Sequence, residues 1–288
     1  MFLMQNWTES IAISEGIDNL LKDIEMVEIR NGIAHSIKTA GKRLRPLTLL
    51  LVAELNKGNM AHAVDAAIAI ECIHTASLIQ DDILDEGLKR RGEPTSHEKF
   101  GTFLAMMSND YLISKSVMLV SRYDPGTVRS FGLSGLLMAE GELLDIKSRM
   151  FKATEADYIE CVRRKTAAVF ASSFEMGARI AGACEETAVL FKTMGEEFGI
   201  AYQIVDDLIE FLSIDDDTKK SAQQSYILPL VYMEAMSRDE AVERCMRQVE
   251  QRIAMIDSML SKFEDCEPKD KLRQVVDILR NYNGITIK

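Results

Sequence analysis

An acidic cluster occurs twice in this chain, each time inside an apolar stretch: DDILD at residues 81–85 and DDLIE at residues 206–210. In a helix, the first and last acids of each cluster would lie one turn apart on the same face. Such carboxylates repel each other, and partial burial raises the cost unless the acids are protonated or share a cation. A fold that buries these stretches must therefore supply a counter-charge to both clusters.

The spacing of apolar residues predicts that most of the chain is helical. Apolar residues recur at helical intervals through about residues 186–211, which places the second cluster near the C-terminal end of a helix. Thr154 and Ser237 each precede an acid by three positions, a pattern that indicates a capped helix start. Breaks are predicted at residues 56–59, 91–94, 124–126, 147–154, 181–184 and 214–226. We expect an all-α fold, a single-domain antiparallel helical bundle over residues 1–288, in which the two clusters face each other across a central cavity.

The charge and the apolar runs exclude several partners. The formal net charge is −11 over 288 residues, so neither nucleic acid nor an anionic lipid surface would be attracted. The apolar run at residues 47–53 is far shorter than the roughly 20 residues that cross a bilayer, and residues 1–10 lack the pattern of a signal peptide. We therefore expect no nucleic-acid binding and no membrane span.

The cysteines indicate a reducing compartment. The chain has five, which are widely spaced and never form a C-x-x-C pair. This pattern favours neither a disulfide framework nor a zinc site. We therefore expect a cytoplasmic protein.

The two acidic clusters point to a magnesium site. Carboxylates without His or Cys alongside are the ligands of hard cations. Mg²⁺ usually completes its octahedron with water and with phosphate from a substrate, because it loses its water reluctantly. The substrate is therefore expected to be a phosphate ester.

Basic residues lie before and after the first cluster. The segment GKRLRP opens an apolar helix and contains Lys42 and Arg45, while Arg90 and Arg91 follow the cluster. His74 precedes the cluster by seven residues and so falls on the same helical stripe. The planar guanidinium group of Arg matches phosphate oxygens, and Lys provides a flexible point charge. This set is suited to two substrates that each carry a diphosphate.

Four motifs in a fixed order resemble the trans-isoprenyl diphosphate synthases, also called polyprenyl synthetases. They are GKRLRP, HTASLIQDDILDEGLKRRG, RRKTA and AYQIVDDLIEF, and the resemblance covers about residues 41–236. It implies an all-α bundle, usually a homodimer, and a Mg²⁺-dependent reaction. That reaction joins an allylic diphosphate head-to-tail to isopentenyl diphosphate.

The resemblance implies a role for each acidic residue of the clusters. Asp81 and Asp85 would hold two Mg²⁺ ions and Asp206 a third, and all three ions would bind the allylic diphosphate. The other acids would be outer or partial ligands, namely Asp82, Asp207 and Glu210.

The same resemblance assigns the remaining site residues. Arg90 and Lys165 would support the leaving diphosphate, while Thr166 and Gln203 would face the reacting carbons. Released diphosphate would accept the final proton, so no catalytic His is expected. Isopentenyl diphosphate would be bound by Lys42, Arg45, His74 and Arg91.

The segment after the second acidic motif departs from the family pattern. Family members carry a Gly-Lys pair and a Gly-x-Asp-Leu segment there, which form a lid over the bound diphosphate. The segment at residues 214–227 is several residues shorter than the corresponding segment of family members, and it contains no glycine. Lys219 or Lys220 would replace the missing lysine, and Glu210 stands where an Asp is usual.

Two other functions remain open. The shortened segment favours a non-catalytic partner subunit of a heteromeric synthase. A class I terpene cyclase also ionises a diphosphate with Mg²⁺, but it needs no site for isopentenyl diphosphate, so Lys42, Arg45 and Arg91 argue against it.

Two small residues bear on the length of the product. Ala76 and Ser77 lie about one helical turn before Asp81, roughly 6 to 7.5 Å along the axis. Short-chain members of the family often have an aromatic floor at this level. We expect a product in the C15–C20 range or longer, and the open level favours at least C20, with the floor set by residues 109–120.

Overall fold

The structure is a computed structural model, and it describes residues 2–39, 41–148, 154–213 and 226–280. Within these ranges the regular structure is almost entirely helical, which confirms the all-α prediction. A 3₁₀ helix covers Phe2–Asn6 and a π-helix covers Arg163–Ala167. The α-helices are α1 (Thr8–Lys22), α2 (Val27–Thr39), α3 (Leu44–Leu55), α4 (Met60–Leu84), α5 (Ser96–Phe100), α6 (Thr102–Val120), α7 (Pro125–Ser148), α8 (Glu155–Val162), α9 (Ala168–Ile180), α10 (Glu185–Ser213), α11 (Leu228–Met233), α12 (Arg238–Leu260) and α13 (Glu267–Asp277).

Side-chain caps explain where several helices begin. Asn59 accepts a hydrogen bond from the backbone N–H of Ala61 at 2.9 Å and starts α4. Thr154 with Asp157, and Ser237 with Glu240, each form a complete capping box at the start of α8 and α12. Both boxes were predicted from the sequence.

A short β-hairpin follows the first acidic motif. Lys89–Arg90 pairs antiparallel with Glu93–Pro94. The two residues between the strands, Arg91 and Gly92, have φ of 53° and 86°. Two positive φ values are the signature of a type I′ turn, whose twist matches that of a hairpin. The sequence predicts a break here, at residues 91–94, but not the strands.

The chain divides into two compact units. Unit 1 comprises Met1–Phe131 and Met176–Ala183, and unit 2 comprises Gly132–Glu175 and Cys184–Lys288. The single domain expected over residues 1–288 stays a prediction.

The core of unit 1 is built around α4, which packs against α6, α3 and α1. Gly177 of α9 lies so close to α3 that a Cβ atom there would overlap the carbonyl oxygen of Leu49. By length and composition α4 could cross a bilayer, a candidate that the sequence analysis missed. Most of its apolar window is buried inside the protein, as in the core helix of a soluble protein.

In unit 2, α10 packs against α12, α11 and the π-helix. Two glycines one turn apart on α10 allow a close approach. A Cβ atom would lie 2.6 Å from the carbonyl oxygen of Phe170 at Gly195, and 2.5 Å from the Cα of Ala167 at Gly199. The backbones of α10 and the π-helix are therefore nearly in contact.

Removing the cap of α12 should destabilise the protein measurably. Ser237→Ala deletes the Oγ acceptor of the Glu240 backbone N–H, so we expect the free energy of unfolding to fall by about 1 kcal/mol. Urea unfolding would measure this. Ser258→Ala, at an exposed interior position of the same helix, is the control and should change stability by less than about 0.5 kcal/mol. An equal effect of both variants would contradict the capping role.

Candidate active site

The first acidic motif forms the last turn of α4. The backbone N–H of Asp85 donates to the carbonyl oxygen of Asp81 at 2.9 Å, so the two acids lie one turn apart as predicted. Asp81 is half-buried and Asp85 is exposed. The C-terminal end of a helix disfavours negative charge. Both carboxylates therefore occupy a position that favours a nearby cation.

Asp82 points to a protein partner, Arg90. The guanidinium Nε of Arg90 donates to both carboxylate oxygens of Asp82 at 3.0 Å, and one Nη lies 2.9 Å from Oδ1. The hairpin returns the chain so that Arg90 can reach back to α4. The loop is held by Gly87, whose N–H donates to the Asp82 carbonyl oxygen at 2.9 Å, and by Thr95, whose hydroxyl donates to the Gly87 carbonyl oxygen at 2.7 Å.

His74 and Arg45 are in direct contact in unit 1. The Arg45 Nη1 lies 3.2 Å from Nε2 of His74. Because Arg can only donate, Nε2 must accept, and the ring proton of neutral His74 is then on Nδ1. Burial and the charges of Arg45, Arg90 and Arg91 hold the pKa of His74 well below 6.5. His74 is therefore a neutral acceptor within a cationic cluster.

The GKRLRP segment also meets the hairpin turn. Gly41 has φ of 105°, and a Cβ atom there would overlap the guanidinium of Arg91. Arg43 has φ of 51° and precedes the first residue of α3. Lys42, between them, is half-buried. Positive φ at two positions thus bends the segment so that Arg91 packs directly against it.

A buried acid, Glu71, lies beside this cluster and was missed by the sequence analysis. Glu71 is 1% exposed, and within the described residues neither carboxyl oxygen has a hydrogen-bond partner. Burial raises the pKa of Glu71, while the charges of Arg43, Arg45 and Arg91 oppose that rise. An acid inside an apolar run, three residues before His74, was the signal that could have identified it.

Two predicted residues of unit 2, Thr166 and Gln203, are hydrogen-bonded to each other. The Thr166 hydroxyl donates to Oε1 of Gln203 at 2.8 Å. Thr166 belongs to the π-helix, a local widening that is often found at functional sites. Gln203 lies one turn after Gly199 on α10, on the face that approaches the π-helix. The resemblance implies that both side chains face the reacting carbons.

Lys165 is paired with two acids that the sequence analysis missed. Its Nζ lies 2.7 Å from Glu142 and 2.6 Å from Asp145, three residues apart on α7. A Cβ atom at Gly141 would overlap the backbone of Lys165, so α7 and the π-helix approach closely here. The spacing of Glu142 and Asp145 on one helix face was the available signal, but the sequence does not show which cation these two acids meet.

The acids of the second motif differ in burial. Asp206 is half-buried and Glu210 exposed, one turn later on α10. Asp207 is 3% exposed and accepts hydrogen bonds from Tyr158, Gln203 and Leu228. Burial raises the pKa of Asp207 to about 7, and the three hydrogen bonds oppose this rise.

The acidic residues suit Mg²⁺ better than a metal held by protein alone. In the part of the chain that the structure describes, no three side chains of His, Cys, Asp or Glu are grouped closely enough to hold a metal. Mg²⁺ is usually held by one or two carboxylates together with water and the phosphates of a substrate, and the two carboxylate pairs could provide the protein's share of such a site. Lys219 and Lys220, together with nearly all of the shortened segment, lie outside the described residues.

The chain is similar to known proteins in both sequence and structure. Residues 27–263 match the family model described as Polyprenyl synthetase. A geranylfarnesyl diphosphate synthase of Methanosarcina mazei is 40% identical over 276 residues, which cover 96% of this chain and 93% of the relative. A solved structure described as a geranyltranstransferase from Methanosarcina mazei is similar with a TM-score of 0.84 and 38% identity, covering 98% of both chains. A heptaprenyl diphosphate synthase from Staphylococcus aureus shares the fold, with a TM-score of 0.87 at 21% identity, over 96% of this chain and 99% of that one.

The neutral state of His74 predicts a pH dependence of stability. In the unfolded chain His74 takes up a proton near pH 6.5, whereas the folded chain resists it, so stability is lost as the pH falls. Between pH 7.5 and 5.5 the wild type should lose about 1 kcal/mol more than His74→Gln, which keeps a neutral acceptor for Arg45. Urea unfolding of both proteins at the two pH values measures the difference. Identical pH dependence would show that His74 titrates normally.

Proposed function

This chain belongs to the polyprenyl synthetase family and is a trans-prenyltransferase, and we propose that it depends on Mg²⁺ and uses the residues described above. The reaction condenses isopentenyl diphosphate head-to-tail with an allylic diphosphate. The observation that carries the assignment of residues is in unit 1. There a single helix, α4, carries both His74, in contact with Arg45, and the first acidic motif at its end.

We assign the binding of isopentenyl diphosphate to the cations around His74. Arg45 and Arg91 can each present a planar fork to the diphosphate, and Lys42 adds a point charge. Neutral His74 accepts from Arg45 and so fixes the direction of its guanidinium. A protonated His74 would instead repel Arg45, which is why its lowered pKa suits this role.

We assign the allylic diphosphate to the acidic motifs and to two further cations. Asp81 with Asp85 would hold two Mg²⁺ ions, and Asp206 with Glu210 a third. When bound, these ions supply positive charge that stabilises the developing negative charge on the leaving diphosphate. Arg90 is held ready by Asp82 to bind the same group. Lys165 would support this leaving group as well, and its ammonium group is held by Glu142 and Asp145.

The carbon chemistry needs acceptor oxygens more than a base. Breaking the allylic C–O bond leaves an allylic cation, and the double bond of isopentenyl diphosphate then attacks it to form the new C–C bond. Thr166 and Gln203 would turn their oxygens toward the positive carbon. The released diphosphate would accept the final proton. His74 is then not needed as a base and stays neutral throughout.

Two small residues on α4, Ala76 and Ser77, support a long product. Ala76 is 2% exposed, and the hydroxyl of Ser77 donates to the carbonyl oxygen of His74 at 2.8 Å. Neither side chain has the volume of an aromatic floor at this level of α4. We propose a product of C20 or longer, which the similarity to a geranylfarnesyl diphosphate synthase also supports.

We further propose that the protein is a cytoplasmic homodimer. A stripe on α6 is apolar and exposed, and a second copy of the chain would bury it; its residues are Phe103, Met106, Ile113 and Val117. The five cysteines are all free, as in a reducing compartment.

The purified chain should elongate allylic primers. We expect labelled isopentenyl diphosphate to be incorporated with C5, C10, C15 or C20 primers, and only when Mg²⁺ is present. Separating the products by chain length would report the reaction and the product together. A folded sample that extends no primer would contradict the proposal; extension after adding a homologous chain would indicate a partner subunit, and cyclised hydrocarbons a terpene cyclase.

Enlarging Ala76 should shorten the product. Ala76→Phe places an aromatic ring at the level of α4 that is now occupied by small side chains, so chain growth should stop earlier. Ala76→Val, a smaller increase in volume, is the graded control. Products are compared after each variant has been shown to extend a C5 primer. An unchanged product distribution with Ala76→Phe would show that this level does not limit the chain.

A further inference from the structure

We propose, on the basis of the proposed function, that Asp207 is a positioning residue and not a metal ligand: it orients the amide of Gln203 so that its oxygen faces Thr166. This assignment replaces the ligand role that the acidic motif implies for Asp207. It rests on hydrogen bonds within unit 2 alone.

Both carboxylate oxygens of Asp207 are engaged by donors inside the protein. The Tyr158 hydroxyl donates to Oδ2 at 2.5 Å, and the backbone N–H of Leu228 donates to the same oxygen at 3.1 Å. The amide nitrogen Nε2 of Gln203 donates to Oδ1 at 2.9 Å. With 3% of its surface exposed, Asp207 has its hydrogen-bonding capacity turned toward protein. A Mg²⁺ ion would have to compete with these three donors at a carboxylate that is almost closed to solvent.

The position of Asp207 on α10 explains why it faces inward. Gly195, Gly199, Gln203 and Asp207 follow each other at intervals of four and therefore lie on one helix face. The two glycines bring that face against the π-helix and α9. Asp206, the neighbouring residue, is turned by about 100° around the helix and is only half-buried. The two adjacent acids thus point in different directions.

The carboxylate form of Asp207 dictates which way the Gln203 amide points. The hydrogen bonds from Tyr158, Gln203 and Leu228 favour that form over the protonated one. A carboxylate only accepts, so Gln203 must present its NH₂ group to Asp207. Its oxygen Oε1 is then directed to Thr166, whose hydroxyl donates to it at 2.8 Å. A neutral amide at position 207 would turn its oxygen to the backbone N–H of Leu228 and its NH₂ group to Gln203, so the Gln203 oxygen would be drawn away from Thr166. Asp207 therefore acts on the reacting carbons through Gln203.

Asp207 also connects three helices of unit 2. It lies on α10, Tyr158 lies on α8, and Leu228 is the first residue of α11. Tyr158 is 1% exposed and Leu228 fully buried. The network is therefore a buried junction, and a change at Asp207 should affect stability as well as catalysis.

The decisive experiment exchanges the donor and acceptor between two positions. Asp207→Asn alone offers Gln203 a donor opposite a donor, and Gln203→Glu alone places two carboxylates together. In the double variant Gln203→Glu/Asp207→Asn, the carboxylate at 203 accepts from both Thr166 and the new amide, so the hydrogen bonds are restored. We expect each single change to lower kcat at least tenfold, and the double variant to recover most of that loss.

A magnesium titration separates this role from metal binding. We expect the Mg²⁺ concentration for half-maximal rate to be the same in Asp207→Asn as in the wild type. A metal ligand would instead show a clear increase in that concentration and no recovery in the double variant, and this result would overturn the proposal. Asp206→Asn is the comparison in which the Mg²⁺ requirement should rise.

A measurement without substrate keeps the test independent of the proposed activity. The melting temperature of the two single variants should fall, and that of the double variant should recover more than half of the summed loss. Simple additivity would refute the network even if the enzyme is active. Tyr158→Phe should also lower the melting temperature. Tyr226→Phe should have little effect, because the hydroxyl of Tyr226 makes only a long hydrogen bond of 3.5 Å, at an exposed site, to the Thr154 carbonyl oxygen. If the wild type is inactive but the exchange restores stability, the function is wrong and the network stands.

Discussion

The need to neutralise acids embedded in apolar helices shapes both units of this protein. An uncompensated carboxylate in such surroundings costs several kcal/mol, about as much as a typical domain has to spare. In unit 1, Arg90 meets Asp82 through two hydrogen bonds to its carboxylate. In unit 2, Lys165 lies between Glu142 and Asp145. The first pairing joins the hairpin to the end of α4, and the second joins the π-helix to α7.

Unusual backbone angles bring the cations of unit 1 together. Gly41 and Arg43 have positive φ before α3, and Arg91 and Gly92 have positive φ in the hairpin turn. The first pair bends the GKRLRP segment, and the second reverses the chain directly after Arg90. A side chain at Gly41 would displace the Arg91 guanidinium. The backbone at these positions thus brings like charges close together, and the charges of Arg43, Arg45 and Arg91 in turn oppose the rise that burial causes in the pKa of Glu71.

Local features of this fold were predictable from the sequence, and long-range ones were not. The capping boxes at Thr154 and Ser237 were predicted because each depends on residues three positions apart. The hairpin was missed because each strand has only two residues, too few to show alternation. The contact between Tyr158 and Asp207 joins residues 49 positions apart. No periodic pattern marks such a pair, so the sequence indicated the acid but not its partner.

The two adjacent aspartates at the start of each motif point in different directions around their helix. Adjacent residues on a helix point about 100° apart, so two neighbouring carboxylates have different surroundings. The second acid of each pair has a protein partner: Asp82 has Arg90, and Asp207 has Tyr158 and Gln203. The first acid shares its face with the acid four residues later. The first and last acids of each motif therefore place two like charges on one helix face, where a shared cation would be favourable, and the second acid keeps the neighbouring side chains in place.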